Sequence, residues 1–156
     1  MFSGRGIVLQ KTFFQGDMMG IKFLKLNRNW NAEPNAPEET VTLEGLNLIL
    51  EFTVNPWAYE GFEEEERAKL IFKNCYKFRV GPTNDEGWYL GQCRFGRLAP
   101  QWGEFYQIIG SSPTVVDAKD WKIVGTNKIG NHYLFYLRDS TFECVADSFI
   151  FQRSGS

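Results

Sequence analysis

Along most of the chain, apolar and polar positions alternate with a period of two. Leu46, Leu48, Leu50, Phe52 and Val54 interleave with Asn47, Ile49, Glu51 and Thr53. That is the pattern of a strand with one strongly buried face. Leu70, Phe72, Tyr76, Phe78 and Val80 alternate with Lys69, Lys73, Lys77 and Arg79. They predict a single half-buried strand over residues 70–80 with a basic outer face. From these two segments Leu48, Leu50, Phe52, Leu70, Phe72, Phe78 and Val80 are expected in the core. Shorter strands are expected over residues 88–95, 105–109 and 121–124. Residues 132–138 and 141–152 read as a closing hairpin turning at Asp139-Ser140. An opening hairpin is expected from residues 7–14 and 21–26.

These runs are separated by clusters of Gly, Pro, Asn and Asp, which favours antiparallel strands over βαβ units. The expected fold class is mainly β: an antiparallel sandwich or a partly open barrel of roughly eight to ten strands. At most one or two short helices are expected. The best helix segment is 57–69, where Glu63 precedes Arg67 and Glu65 precedes Lys69 by one helical turn. Residues 1–152 are expected to form one β-rich domain, with 153–156 a disordered tail. The polar stretch 27–40, with Pro34 and Pro37, reads as a long surface loop. A hairpin that pairs Val80 with Trp88 would put Cys75 opposite Cys93.

Composition changes this picture little. The 156 residues are 43% apolar, 16% aromatic and 23% charged, which excludes disorder and collagen-like structure. The net charge of −2 disfavours a dedicated nucleic-acid protein. No apolar run reaches membrane-span length, and the run 7–9 is too short for a signal-peptide core. Cys75, Cys93 and Cys144 are an odd count at wide spacing, unlike a secreted disulfide framework. The expectation is a cytoplasmic protein with reduced thiols and no membrane contact.

Candidate chemistry is sparse. His132 is the only histidine, so a zinc site would need Cys75, Cys93 and Cys144 beside it, and no close cysteine pair exists. In the hairpin register His132 would face Asp147, an orienting carboxylate for a general base or simply a cross-strand ion pair. No G-x-S-x-G elbow and no phosphate-binding glycine loop is present. Glu60 and Glu63–Glu66 lack the turn chemistry of a calcium loop and read as a solvated acidic face. No catalytic residue, metal or cofactor is expected.

Five tryptophans remain. Trp88, Trp102 and Trp121 lie in or beside strands and read as core. Trp30 and Trp57, with Tyr59, lie in polar or turn sequence, where aromatic side chains are favoured contact residues. Lys69, Lys73, Lys77 and Arg79 form the most organised basic set, with Lys73, Lys77 and Arg79 the candidate binding residues. Single-strand nucleic-acid binders combine such a set with aromatics. Lysines on the outer face of a sheet also simply maintain solubility. The leading expectation is a non-enzymatic module that contacts another protein through aromatic-bearing loops or a sheet edge, as an inhibitor or immunity-type protein would. The alternatives are a small apolar-ligand binder with an aromatic sheet interior, and a hydrolase-like enzyme using His132 with nearby carboxylates.

Overall fold

A computed structural model describes residues 20–82, 95, 101–110 and 117–153. The described residues contain ten strands and no helix. They are β1 (Ile21–Lys25), β2 (Thr40–Glu44), β3 (Asn47–Thr53), β4 (Arg67–Lys73) and β5 (Lys77–Gly81). Then follow β6 (Phe105–Gly110), β7 (Lys122–Ile123), β8 (Asn131–Tyr136), β9 (Thr141–Ala146) and β10 (Ser148–Arg153). Six strands form one antiparallel sheet in the order β1-β6-β8-β9-β5-β7, and four form another in the order β10-β4-β3-β2. The two sheets pack as a sandwich and do not close into a barrel. The predicted opening strand 7–14, the pairing of Val80 with Trp88, and the tail 154–156 lie outside the described residues.

Two segments that read as single strands are each divided between the sheets. Residues 70–80 split into β4 and β5, and residues 141–152 split into β9 and β10. The cause is visible in the pairing. β4 pairs β10 with Lys73 opposite Ser148, and β5 pairs β9 with Lys77 opposite Val145. Between those pairs one chain has residues 74–76 and the other has only 146 and 147. The extra residue is a bulge, and bulges bend strands sharply enough to carry them from one sheet to the next. Asn74 takes a left-handed φ of 51° there, which asparagine tolerates better than most residues. Asp147 N donates to Lys73 O at 2.9 Å, so both chains turn the corner together.

Segment 57–69 is not helical. Gly61 and Glu65 have φ values of 94° and 64°, and neither fits a right-handed helix. Arg67 turns instead to Pro37 O, Glu38 O and the Thr53 hydroxyl, and from Arg67 onward the chain is β4. The period of two over Arg67–Lys73, with Ala68, Leu70 and Phe72 fully buried, outweighs the helical charge spacing.

The core between the sheets contains Leu48, Leu50, Phe52, Leu70 and Phe72, as expected, together with Phe105, Tyr133, Phe135 and Phe142. Phe78 only packs partly against it. Val80 is 44% exposed and is a correction to the expected core. It keeps the inner face, opposite the buried Phe142, but β7 reaches only as far as Phe78 and leaves its flank open. Trp30 is buried at 7% exposure, stacked on Phe151 at 4.3 Å and on Phe52 at 5.6 Å.

Candidate functional site

Two places carry organised polar chemistry. The first is a cleft of about 430 Å³ at one end of the four-stranded sheet. Its lining includes Glu33, Glu38, Thr53, Trp57, Glu64, Glu65 and Arg67. The walls are loops tied to the end of β3. Glu33 N donates to Thr53 O, Thr53 N to Pro37 O, and Val54 N to Glu66 O, each at 2.8–2.9 Å. Asn55 Oδ1 accepts from the amides of Trp57 and Ala58 at 2.9 and 3.3 Å, an Asx turn that fixes the Trp57 backbone. The indole is left 71% exposed at this site.

Electrostatically the cleft is acidic. Four glutamates line it against one arginine. Arg67 Nη1 is already committed to Glu38 O at 2.9 Å, Thr53 Oγ1 at 3.1 Å and Pro37 O at 3.3 Å. One Glu33 oxygen accepts from the Asn35 amide at 2.6 Å. An exposed indole next to carboxylates attracts a cation through both its ring face and their charge.

The second place is on the outward face of the six-stranded sheet. Glu143, in the middle of β9, is fully buried there. The register sets it opposite Arg79 on β5 and Leu134 on β8. One of its carboxylate oxygens accepts from Arg79 Nη1 at 2.8 Å, and the other lies 2.8 Å from His132 Nε2. Asp120 holds the rest of the guanidinium, at 2.7 Å from Nε and 3.2 Å from Nη2. Burial opposes the Arg79 charge, but Asp120 and Glu143 outweigh it and raise the arginine pKa. The same hydrogen bond to Arg79 lowers the Asp120 pKa. His132 is packed edge-on by Phe95 and Trp121, with ring centroids 6.1 and 6.0 Å away. Because the carboxylate only accepts, Nε2 carries a proton.

Few of the residues expected to act together are in fact brought together. Lys73, on β4, belongs to the outer face of one sheet, whereas Lys77 and Arg79, on β5, belong to the outer face of the other. The bulge at residues 74–76 separates them, so the basic surface does not exist as one patch. Arg79 is spent on Glu143 and Asp120, and Lys77 Nζ sits over the Trp121 ring at 4.4 Å. Trp30 is not a surface contact. Asn27, itself fully buried, donates to Trp30 O at 3.0 Å and accepts from Phe105 N at 3.1 Å, which draws that loop inward. Trp57 lines the cleft, while Tyr59 is half-buried and outside its lining.

His132 faces Val145 rather than Asp147. The hairpin turns one residue earlier than expected, at Arg138-Asp139, with Leu137 N donating to Ser140 O, which shifts the partner of His132 by two residues. Asp147 is instead bonded by the side chains of Asn74 and Asn127. The role of Glu143 as the buried partner had one signal in the sequence: a lone charge inside the apolar run Thr141–Ala146. Such a charge is buried only if it is paired. Among the described residues no cluster of His, Cys, Asp and Glu has the arrangement of a metal site. Compared with protein-family models, with curated proteins and with solved structures, the chain matches none.

Proposed function

We propose that the protein is a binding module that docks a basic segment of a partner protein in the cleft beside Trp57. The observation that carries this reading is the exposed Trp57 indole among four cleft-lining glutamates whose one cationic neighbour there among the described residues, Arg67, is tied to backbone carbonyls. A lysine or arginine side chain from the partner would lie over the indole and meet the carboxylates. Cation–π contacts at exposed sites contribute about 0.5–1 kcal/mol each, so the contact is modest and salt-sensitive. The loops that present it are held by main-chain bonds to β3, so little ordering is required on binding.

The test is calorimetric titration with matched lysine- and arginine-rich, neutral and glutamate-rich peptides. Binding of the basic peptides alone is expected, weakened about two- to fivefold by Trp57→Ala and further by added salt. Equal binding of acidic and basic peptides, or no effect of Trp57→Ala, would overturn the reading.

A second reading is favoured by His132 and Glu143. An imidazole whose Nε2–H is held by a buried carboxylate would present Nδ1 as a general base in its neutral form. Hydrolysis of activated esters by the folded protein, lost in His132→Gln with folding retained, would support an enzyme using this pair. Turnover unchanged in that variant would remove it.

A further inference from the structure

The corner where the chain passes from one sheet to the other brings together two cysteines that are distant in sequence. The left-handed Asn74 and the bulge aim Cys75 into the inter-sheet core, where it is fully buried. Its amide donates to Leu46 O, and the next amide, Tyr76 N, donates to Val145 O at 2.8 Å. That bond seats Cys75 against the strand that carries Cys144. Cys144, opposite Phe78 on β9, points into the same core and is also fully buried. Both are free thiols.

We infer that Cys75 and Cys144 are a redox pair: a reversible disulfide between them would staple the β4–β5 corner to the central strand β9. Their environments differ in a way that assigns the roles. The hydrogen bond from the Cys144 thiol lowers the Cys75 pKa, with help from the Lys77 backbone and against burial. Burial, followed by the interaction with Cys75, pushes Cys144 well above the ordinary thiol range. Cys75, at the corner where the ladder is interrupted, is the attacking sulfur, and Cys144, held in β9 between β5 and β8, is the resolving group. With hydrogen peroxide as the oxidant, Cys75 sulfur attacks one peroxide oxygen, the O–O bond breaks, and hydroxide leaves to become water. The product is a Cys75 sulfenic acid. Cys144 sulfur then attacks that sulfenic sulfur, the S–O bond breaks, and a second water carries away the oxygen and the thiol proton. The two thiols lose two electrons to one peroxide, giving one disulfide and two waters.

Access requires a local opening, because neither sulfur is exposed in the closed state. The corner is the natural place for it, since the ladder is interrupted there between Lys73 and Lys77. It is closely packed when shut. A Cβ on Gly125 would lie 2.2 Å from Cys75 O, so only glycine allows that segment to press against the corner.

The experiment is peptide mapping of the folded, full-length chain after treatment with hydrogen peroxide, without reductant. Trypsin separates Cys75 in residues 74–77, Cys93 in residues 80–94 and Cys144 in residues 139–153, so each pairing has its own mass. The expected product links 74–77 to 139–153, is reversed by dithiothreitol, and persists in Cys93→Ser. The oxidised protein should melt about 5–10 °C higher than the reduced one, from closing a long loop in the unfolded chain. In Cys144→Ala, Cys75 should stop at sulfenic or sulfinic acid, read as added oxygen mass. A Cys75–Cys93 link, or retention of both free thiols at peroxide doses that oxidise the methionines, would overturn the inference.

Discussion

The six-stranded sheet is buried on both faces, and the two faces are built from different chemistry. The inner face carries Phe105, Tyr133, Phe135, Phe142 and Cys144, all packed into the inter-sheet core. Phe105 alone has ring neighbours in Trp30, Phe72, Tyr133, Phe135 and Phe149, at 5.2–6.1 Å. The outer face carries a second apolar cluster of Ile21, Phe23, Phe95, Tyr106, Ile108, Leu134 and Tyr136. Beside that cluster sit Glu143, Arg79 and His132. Successive residues of one strand, Phe142 and Glu143, thus answer to opposite rules. On the inner face stability follows volume, because a lost ring leaves a void. On the outer face it follows pairing, because a buried carboxylate without its cation is costly, while removing both partners together is tolerated.

The largest effect is expected inside. Phe105→Ala should lower unfolding free energy by about 3–5 kcal/mol in urea denaturation. A loss under 1 kcal/mol would show that the ring cluster is not the centre of the core. Next comes the outer face. Arg79→Met should cost about 3 kcal/mol by leaving the buried Glu143 carboxylate without its arginine. The double change Arg79→Met with Glu143→Leu should recover most of that loss. If the two changes simply added, the contrast between the faces would fail. His132→Ala should cost about 1.5–2 kcal/mol, and His132→Gln less, since the amide still donates to Glu143. At the open edge, Val80→Ala should change stability by under about 0.5 kcal/mol.

The smallest effect is electrostatic. Arg153 lowers the Glu66 pKa through their hydrogen bond, and Arg79 does the same for Asp120. A carboxylate with a depressed folded pKa contributes its stability above its unfolded value of about 4. That contribution is lost as the pH falls through the folded value. Arg153→Met should therefore lower stability slightly at neutral pH and least at low pH, which flattens the acid limb of the stability–pH curve. A larger loss at pH 3 than at pH 7 would contradict the sign.

The strands were legible wherever one face is apolar and the other polar. Residues 47–53 show this, with Leu48, Leu50 and Phe52 fully buried. Segment 57–69, the best helix segment in the sequence, is not helical because charge spacing is a weak signal beside a glycine and a strand period that begins at Arg67. Of the cleft, Trp57 was legible as an aromatic in turn sequence. Its glutamates were not, because Glu33 and Glu38 meet Glu64 and Glu65 only through the loop bonds to β3. The exposure of Trp57 and the burial of Trp30 have the same kind of local sequence. They part because Asn27 ties one loop to β6, and nothing comparable draws Trp57 inward.

By itself the sequence determined that the chain is built of antiparallel strands and which parity of each strand is apolar. A period of two is a local property, readable without knowing any neighbour. It did not determine which sheet a segment joins. Residues 70–80 and 141–152 run on without a proline or glycine to mark a break, yet each crosses between sheets. The crossing comes from one extra residue in a pairing between segments about seventy positions apart, and no local pattern records a mismatch of lengths. The same corner parts Lys73 from Arg79, carries Arg79 to Glu143, and turns Cys75 toward Cys144. Only the tertiary structure decides those partners, because burial and pairing depend on what the opposite strand presents.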